Sequence, residues 1–495
     1  MESFELLIRG FGVALTPINI LYAFTGCFVG TVIGVLPGLG PLVTIAMILP
    51  TTFGMNPTSA MIMMAAVYYG AQYGGSTTSI LLNIPGESAS VITCLDGYQM
   101  ARKGRAGAAL AMAAISSYIA GTLSVVGLML LAPPLADIAL SFGPPEYFSL
   151  ILMGLSTIVF LGGRSVVKSM ISIVLGLMIG LVGVDPVGGV NRFTFGSLEL
   201  IDGVSFIVVV MGVFGIGEVL VSAEERMKIS IIKTKLSEFM PTPKEWKESA
   251  APIARGSVIG FLVGVLPGTG ATIASFLSYA TEKMLSKNPE KFGKGAIEGV
   301  AGPEGANNAA VCGAMVPLFT LGVPGSGTTA VMMGAMVMYG LRPGPMLFQQ
   351  NPDFIWGIIA SMYLGNFILL IMNLPLVPLF ASLLRVPYSI LYPFILLVCV
   401  TGTYSLENSL FHVGLLFIFG IVGYFVKKFE LPGAPIVLAL VLGPMVERAL
   451  YQSLTLSHGR LSILVTRPYS LAFLIIILLV LMVPIVRWIR KRRRV

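Results

Sequence analysis

Charged side chains are scarce in this sequence. Only 11% of its 495 residues are Asp, Glu, Lys or Arg, whereas 56% are hydrophobic and the mean hydropathy is +0.90. Soluble domains carry about 25% charged residues. The composition therefore predicts a polytopic membrane protein, with room for roughly a dozen spans of about 20 residues each.

Residues that build metal or redox sites are also few. The two histidines, His412 and His458, have no partner at metal-ligand spacing. The four cysteines lie singly in apolar segments, without a Cys-x-x-Cys pair, and are interpreted as packing residues: Cys27, Cys94, Cys312 and Cys399. The sequence has no phosphate-binding Gly-x-x-x-x-Gly-Lys-Ser/Thr loop. No cofactor is predicted, and a membrane-embedded enzyme is disfavoured because no catalytic constellation is found.

The net charge of +8 comes from short basic clusters between apolar runs. This pattern is typical of cytoplasmic loops and argues against nucleic-acid binding. The predicted cytoplasmic segments are 102–105, 164–168, 224–247, 283–294, the loop at Arg385, 427–428 and the C-terminal tail 487–494. The cation-poor segments 1–9, 133–146, 185–202, 342–353 and 403–408, and by parity 447–467, are predicted on the other side.

Glycine and proline, in contrast, are abundant and recur at fixed offsets. The segment Gly264-Val-Leu-Pro-Gly-Thr-Gly270 repeats Gly34-Val-Leu-Pro-Gly-Leu-Gly40 after 230 residues (264 − 34). A second break follows each copy, at Pro85-Gly86 and at Pro324-Gly325, 239 residues apart (324 − 85). Matching interruptions in two long halves are typical of secondary transporters built from internal repeats. Because corresponding loops are predicted on opposite sides, the repeats are expected to have inverted topology.

The interruptions predict two kinds of element. The stretch 256–280 has cations at both ends and is too short to cross twice, which predicts a re-entrant hairpin with its tip at 267–270. The equivalent first stretch, within 10–50, is predicted to form a second hairpin that opens from the other side. Segments 57–100 and 301–340 must cross an odd number of times and break at Pro-Gly, which predicts discontinuous helices.

The predicted fold is therefore an all-α polytopic membrane protein of two inverted-topology repeats with re-entrant hairpins and discontinuous helices. Residues 1–222 and 253–450 form the repeats, and 223–252 are a cytoplasmic connection. Residues 451–495 are a final transmembrane helix with a basic tail, which places the C-terminus in the cytoplasm.

Polar residues gather around the four interruptions, which would converge on one cavity if the repeats face each other. Helix N-termini at such breaks suit a carboxylate, and freed carbonyls suit Na⁺, expected here near Gly38, Gly86, Gly268 and Gly325. The alternative for the hydroxyls is ordinary close packing of membrane helices. The predicted substrate site comprises Gly38, Gly40, Ser76, Thr77, Thr78, Asn83, Pro85, Gly86, Gly268, Thr269, Gly270, Asn307, Asn308, Pro324, Gly325, Ser326 and Thr328.

Four acidic residues lie near the breaks: Glu87, Asp96, Glu298 and Glu304. An ionisable group at membrane depth is by default a functional hypothesis, and Glu87 and Glu304 are predicted to couple a cation. For Asp96 and Glu298 a solvated loop end is an equal alternative. Because no cation lies within the tips or breaks, an anionic substrate would be held by dipoles, hydroxyls, amides and co-bound cations. This favours a symporter driven by Na⁺ or H⁺.

The motifs resemble a known family. The paired Gly-Val-Leu-Pro-Gly-x-Gly segments, the run 73–86 (Tyr-Gly-Gly-Ser-Thr-Thr-Ser-Ile-Leu-Leu-Asn-Ile-Pro-Gly) and the run from Gly302-Pro-Glu-Gly-Ala-Asn-Asn308 to Gly327 are similar to the large membrane subunit of tripartite tricarboxylate transporters, the TctA type. The resemblance implies a bacterial inner-membrane importer of organic carboxylates. It also implies two partners, a small TctB-type membrane subunit and a periplasmic TctC-type solute-binding protein.

Together, the residues and the resemblance predict the permease subunit of a binding-protein-dependent carboxylate importer, working by cation-coupled alternating access. The paired hairpins suggest an elevator-type displacement. A stand-alone carrier or channel that needs no binding protein is the alternative.

Overall fold

The computed structural model describes residues 2–36, 39–161, 165–185, 188–224, 240–268, 270–374, 376, 379 and 388–492. Its helices are α1 Glu2–Ala14, α2 Pro17–Gly34, α3 Pro41–Ile48, α4 Pro57–Leu82, α5 Thr93–Arg102, α6 Ala106–Ala139, α7 Pro144–Leu161, α8 Val166–Gly180, α9 Phe206–Val210, α10 Gly217–Glu224, α11 Pro243–Val265, α12 Gly270–Leu285, α13 Glu298–Leu321, α14 Gly327–Met338, α15 Pro345–Gln350, α16 Pro352–Asn373, α17 Tyr388–Glu407, α18 Leu410–Lys428, α19 Gly433–Leu456, α20 Ile463–Thr466 and α21 Pro468–Arg492. A π-helical stretch, Met211–Ile216, joins α9 to α10.

Strands are confined, within the described residues, to one antiparallel pair, β1 Gly183–Val184 and β2 Asn191–Arg192. Six described helices are long and apolar enough to cross a membrane: Pro17–Gly34, Ala106–Ala139, Phe206–Glu224, Pro352–Asn373, Leu410–Lys428 and Gly433–Leu456. Further apolar helices of 10–17 residues accompany them. The prediction of an all-α polytopic membrane protein is confirmed.

A ladder of glycines fastens α2 to α4, and the same ladder fastens α11 to α13. A methyl group added at any of these glycines would come within 2.5 Å of a carbonyl oxygen on the partner helix. The pairs are Gly26 with Met63, Gly30 with Val67 and Gly34 with Ala71 in the first half, and Gly256 with Gly302, Gly260 with Ala306 and Gly264 with Ala310 in the second. Small residues allow such approach between membrane helices. The offsets, 230 for the glycines (256 − 26) and 239 for their partners (302 − 63), equal those of the sequence motifs.

The two Pro-Gly breaks interrupt helices, as predicted, and share one backbone geometry. Helix α4 ends at Asn83 and α13 at Gly322, both in the left-handed region with φ of 59° and 64°. This region favours Gly and Asn at a helix C-terminus. After each break the chain turns into a capping box, closed by Glu87 in the first half and by Ser326 in the second.

Contacts set one group of helices apart from the others. The inner group, α1–α6 and α11–α16, contains both broken helices and the two segments predicted as hairpins, α2–α3 and α11–α12. Its main contacts are α2 with α4, α11 with α13, and α13 and α16 with α6. The remaining helices, α7–α10 and α17–α21, are called the outer group. They pack as two bundles, one with contacts of α19 with α7 and α8 and of α21 with α7, the other with contacts of α18 with the π-helical stretch and with α10.

Each of the following polar contacts joins segments that the loop charges predict on the same side. On the predicted cytoplasmic side they are Arg105–Glu245, Lys168–Glu430, Lys428–Glu224 and Lys103 Nζ to Lys294 O. On the other side they are Arg9–Asp353, Arg192–Glu447, Ser409–Glu199 and Arg467–Glu146. Which side is cytoplasmic stays a prediction.

Several predicted features lie outside the described residues. They are the site residues Gly38 and Thr269 and the loop cations Arg164, Arg226, Lys228, Lys233, Lys235 and Arg385. Helix α11 begins at Pro243, inside the predicted connection 223–252.

Candidate functional site: a cavity between the two helix groups

A cavity of about 590 Å³ lies where the inner group faces the outer group. Each of the four predicted interruptions contributes to its wall, with Gly40 from the first tip, Pro85 and Gly86 from the first break, Gly268 and Gly270 from the second tip, and Ser326 from the second break. The outer group contributes Phe214, Glu218, Lys427 and the segment 432–435. The volume of this cavity is in the range found for small-molecule binding sites.

Three α-helices begin at this cavity. The first residues of α3, α12 and α14 (Pro41, Gly270 and Gly327, each with its neighbours) are all part of the wall. The first N–H groups of a helix have no partner inside the helix, and the helix dipole adds roughly half a positive charge there. The inner wall therefore presents an environment suited to a carboxylate.

Glu87 lies on the cavity wall within a network that crosses between the halves. The Asn307 amide nitrogen donates to Glu87 Oε1 at 3.2 Å, and Ala89 N donates to Oε2 at 3.3 Å. In the orientation that satisfies both partners, the Gln72 amide nitrogen lies 2.5 Å from Glu87 Oε1 and 2.8 Å from Asn307 Oδ1. Asn307 therefore acts behind the cavity wall, through Glu87.

Glu304 is buried deeper, on α13, with 1% of its surface exposed. Ser76 Oγ donates to Glu304 Oε2 at 2.5 Å, and Thr93 Oγ1 donates to Oε1. Glu304, Ser76 and Thr77 border a second, much smaller cavity. A carboxylate with two hydroxyls supplies the oxygen ligands of a small hard cation or the acceptor of a proton. Among the described residues no cluster of three or more His, Cys, Asp or Glu is placed to hold a metal ion.

Other predicted site residues lie away from the large cavity. Thr78 Oγ1 donates to Val35 O at 2.8 Å and fastens the first tip. Asn308 Nδ2 donates to Ser117 Oγ at 2.7 Å in the buried contact between α13 and α6. Asn83 is exposed and ends α4.

The two residues of the second Pro-Gly break, Pro324 and Gly325, lie behind the wall. Gly325 O accepts the Gly268 N–H at 2.9 Å. Thr328, by contrast, reaches the wall from the first turn of α14.

Asp96 and Glu298, for which a solvated loop end was the alternative, both lie outside the cavity. Asp96 is fully buried, accepts from the backbone N–H groups of Gly293, Gly295 and Ala296, and receives the Tyr279 hydroxyl at 2.8 Å. It fixes the loop before α13 and is not a solvated loop end. Glu298 pairs with Lys291 at the start of α13.

Sequence reasoning missed the outer wall. Of the described residues that line the cavity, Lys427 alone is positively charged, and it forms an ion pair with Glu218. Lys427 was grouped with the loop cations because Lys428 follows it. Glu218 carried a usable signal, since it is an acidic residue inside the apolar stretch Phe206–Glu224.

Broken helices and a cavity between two helix groups are features that membrane transporters built from internal repeats share. Comparison with known families refines this. Residues 20–438 match the tripartite tricarboxylate transporter TctA family, and the chain belongs to that family. The family is one of transporters and implies a tripartite system.

Two curated proteins of Agrobacterium vitis are similar to the chain. The one described as "Uncharacterized 52.8 kDa protein in TAR-I ttuC' 3'region" is 44% identical over 493 residues, covering 100% of this chain and 98% of that protein. The one described as "Uncharacterized protein in TAR-II ttuC' 3'region" is 44% identical over 234 residues, covering 47% of this chain and 97% of that protein. No solved structure matches.

Proposed function

We propose that this chain is the permease subunit of a binding-protein-dependent secondary transporter that imports a tricarboxylate or related organic carboxylate across the bacterial inner membrane. The observation that carries the proposal is the cavity of about 590 Å³, whose wall includes the first residues of three helices. The dipole of each helix favours an anion, typically by about 0.3–1 kcal/mol. Several such ends around one cavity provide binding without a permanent salt bridge, which suits a solute that must also leave.

Uptake in the native host tests this function. A strain deleted for the gene is complemented with the wild-type chain, and uptake of radiolabelled succinate, malate and citrate is measured. Complementation is expected to restore the uptake of at least one acid. A deletion strain that imports all of these acids as well as its parent would contradict the proposal.

We assign cation coupling to Glu304 and Glu87. Glu304 is buried with two hydroxyls behind the wall, and Glu87 lies at the wall itself, so of these two acids only Glu87 borders the substrate cavity. The two gradients are imposed separately on membrane vesicles. We expect one of them, the Na⁺ gradient or the pH gradient, to drive accumulation of the carboxylate. Equal accumulation with no ion gradient would identify a uniporter or channel.

An inverted relation between the halves is supported by the loop contacts. The end of α14 meets the end of the first hairpin, since Tyr339 donates to Thr52 O, whereas Lys103 after α5 meets the loop after the second hairpin at Lys294. Reciprocal contacts of this kind are what two inverted halves that face each other would make. The test is labelling with a membrane-impermeant maleimide, and the native cysteines are all buried.

The labelling experiment places single cysteines at Arg102, Lys287 and Asp353. The first two are expected to react only after the cells are lysed, and the Asp353 position in intact cells. Labelling of Arg102→Cys and Lys287→Cys from opposite sides would overturn the inverted arrangement.

An elevator-type movement of the inner group against the outer group is our mechanistic proposal. A Cβ atom placed on Gly402 of α17 would lie 2.9 Å from Pro50 Cβ, directly after α3. Disulfides need a Cβ separation of about 3.5–4.5 Å, so the pair Pro50→Cys and Gly402→Cys joins the two groups after a small shift. Oxidation is expected to stop uptake reversibly in the double variant, with each single variant as control. Undiminished uptake in the cross-linked protein would rule the movement out.

Dependence on a TctB-type subunit and a periplasmic TctC-type binding protein follows from the family. Deleting the binding protein in the host is expected to abolish uptake at low substrate concentration. If uptake persists, the chain is a stand-alone carrier or channel.

A further inference from the structure

Two successive lysines at the end of α18 pair with acids in different environments. Lys428 pairs with Glu224 at 2.6 Å, and both side chains are about half exposed (50% and 51%). Lys427, whose side chain is 32% exposed, lines the cavity and pairs with Glu218 of α10, whose side chain is 9% exposed. The ion pair therefore belongs to the outer wall of the cavity.

The helix that carries Glu218, opposite Lys427, has an irregular backbone conformation. The π-helical stretch Met211–Ile216 interrupts the helix directly before Gly217 and Glu218. Phe214 and Glu218 both reach the cavity wall from this segment. Single π-helical turns inside α-helices occur frequently at functional sites.

An ion pair with one buried member is seldom the most stable way to fill a wall, because the buried charge, here the Glu218 carboxylate, loses its hydration. Apolar side chains would close this wall at lower cost. The Glu218 carboxylate also has the same chemical group as the proposed substrate. Lys427 is thus a cation whose partner can be exchanged for a like group.

We propose that Lys427 binds a carboxylate of the transported solute and that Glu218 occupies Lys427 in the empty transporter. The inference rests on the proposed function and adds the residue that recognises substrate charge from the outer group. On entry of the solute, one carboxylate replaces another at the ammonium group of Lys427, and the released Glu218 carboxylate keeps the Ser222 hydroxyl, which donates to its Oε1 at 3.3 Å. The helix N-termini across the cavity bind a second polar group of the same solute.

The test compares complemented host strains for the acid that the wild-type chain imports best among succinate, malate and citrate. Initial uptake is measured over a range of concentrations and normalised to the amount of protein in the membrane. The variants are Lys427→Gln, Lys427→Arg, Glu218→Gln, the double variant Glu218→Gln/Lys427→Gln, and Lys428→Gln as the matched control.

We expect Lys427→Gln to lower uptake efficiency about tenfold, the effect of losing one charge-assisted hydrogen bond. Lys427→Arg should retain most uptake, and Glu218→Gln should equal or exceed the wild type because the competitor is gone. The double variant should stay as low as Lys427→Gln. Lys428→Gln should match the wild type.

A purely structural ion pair predicts a different pattern. Both single neutral variants would then lose uptake, and the double variant, which leaves no unpaired charge, would recover. That recovery, or unchanged uptake in Lys427→Gln, would overturn the inference. If Lys427→Gln does not accumulate in the membrane, reduced uptake in Glu218→Gln overturns it independently. A wild-type chain that restores no carboxylate uptake would instead refute the proposed function itself.

Discussion

The two halves of this molecule share a backbone but not their ionisable groups. Asn83 and Gly322 occupy the same left-handed position, and Glu87 and Ser326 the same cap, each 239 residues apart (322 − 83 and 326 − 87). Yet the position in the first half that corresponds to Glu304 is Ala65 (304 − 239). The duplicated part is the helix-pairing and breaking geometry, and the chemistry differs between the copies.

Each acid depends on the opposite half. Glu304 of the second half accepts from Ser76 and Thr93 of the first, and Glu87 of the first accepts from Asn307 of the second. A change at either acid therefore affects a contact between the halves. Coupling between ion and substrate sites can follow from this crossing, because neither site is complete within one half.

Replacing Glu304 by Gln should have the largest effect on transport. The variant removes the buried carboxylate but keeps a side chain of similar size, so uptake is expected to fall about a hundredfold, equivalent to roughly 2.7 kcal/mol. The loss is measured as the reduction in ion-driven accumulation of the carboxylate in vesicles. Glu298→Gln is the matched control on the same helix, since Glu298 pairs with Lys291 outside the cavity. Equal losses in both variants would mean that Glu304 acts only through folding.

The glycine ladder tests the shared part of the two halves. A methyl group at Gly30 would lie 2.5 Å from Val67 O, and one at Gly260 would lie 2.3 Å from Ala306 O. Gly30→Ala and Gly260→Ala are therefore expected to destabilise the fold by similar amounts, about 1–3 kcal/mol each. Thermal unfolding in detergent measures the effect. Gly12→Ala is the control, because nothing lies within 4 Å of its added methyl. A large loss in only one half would show that the ladders are not equivalent.

The sequence predicted those features that depend on the residues of a single segment. The Pro-Gly breaks, the hairpin tips and the apolar helices follow from local composition, and the structure has a helix end at each break. The loop charges also grouped together segments that contact each other in the structure, since charge at helix ends indicates the side of the membrane.

Tertiary partners were less accessible to sequence reasoning. Asp96 and Asn308 have side chains as polar as those at the cavity, yet they fasten a loop and a helix contact. Lys427 looked like an ordinary loop cation because the direction of its side chain depends on the packing of α18 against α10. Local pattern cannot distinguish a polar residue that binds a neighbouring helix from one that faces a cavity.

The smallest effect on uptake is expected from a substitution that gives the first half a residue of the second. Glu87→Ser places in the first half the residue that caps α14 in the second, so the cap is retained while the carboxylate and its contacts with Asn307 and Gln72 are removed. Stability should fall by about 1–3 kcal/mol, because buried amide donors lose their acceptor. Uptake per folded protein should fall by about tenfold, or roughly 1.4 kcal/mol, because the acid at the cavity wall is lost. Parallel measurements of the thermal midpoint and of ion-driven uptake separate the two effects. Unchanged uptake would assign Glu87 to capping alone and leave Glu304 as the coupling acid.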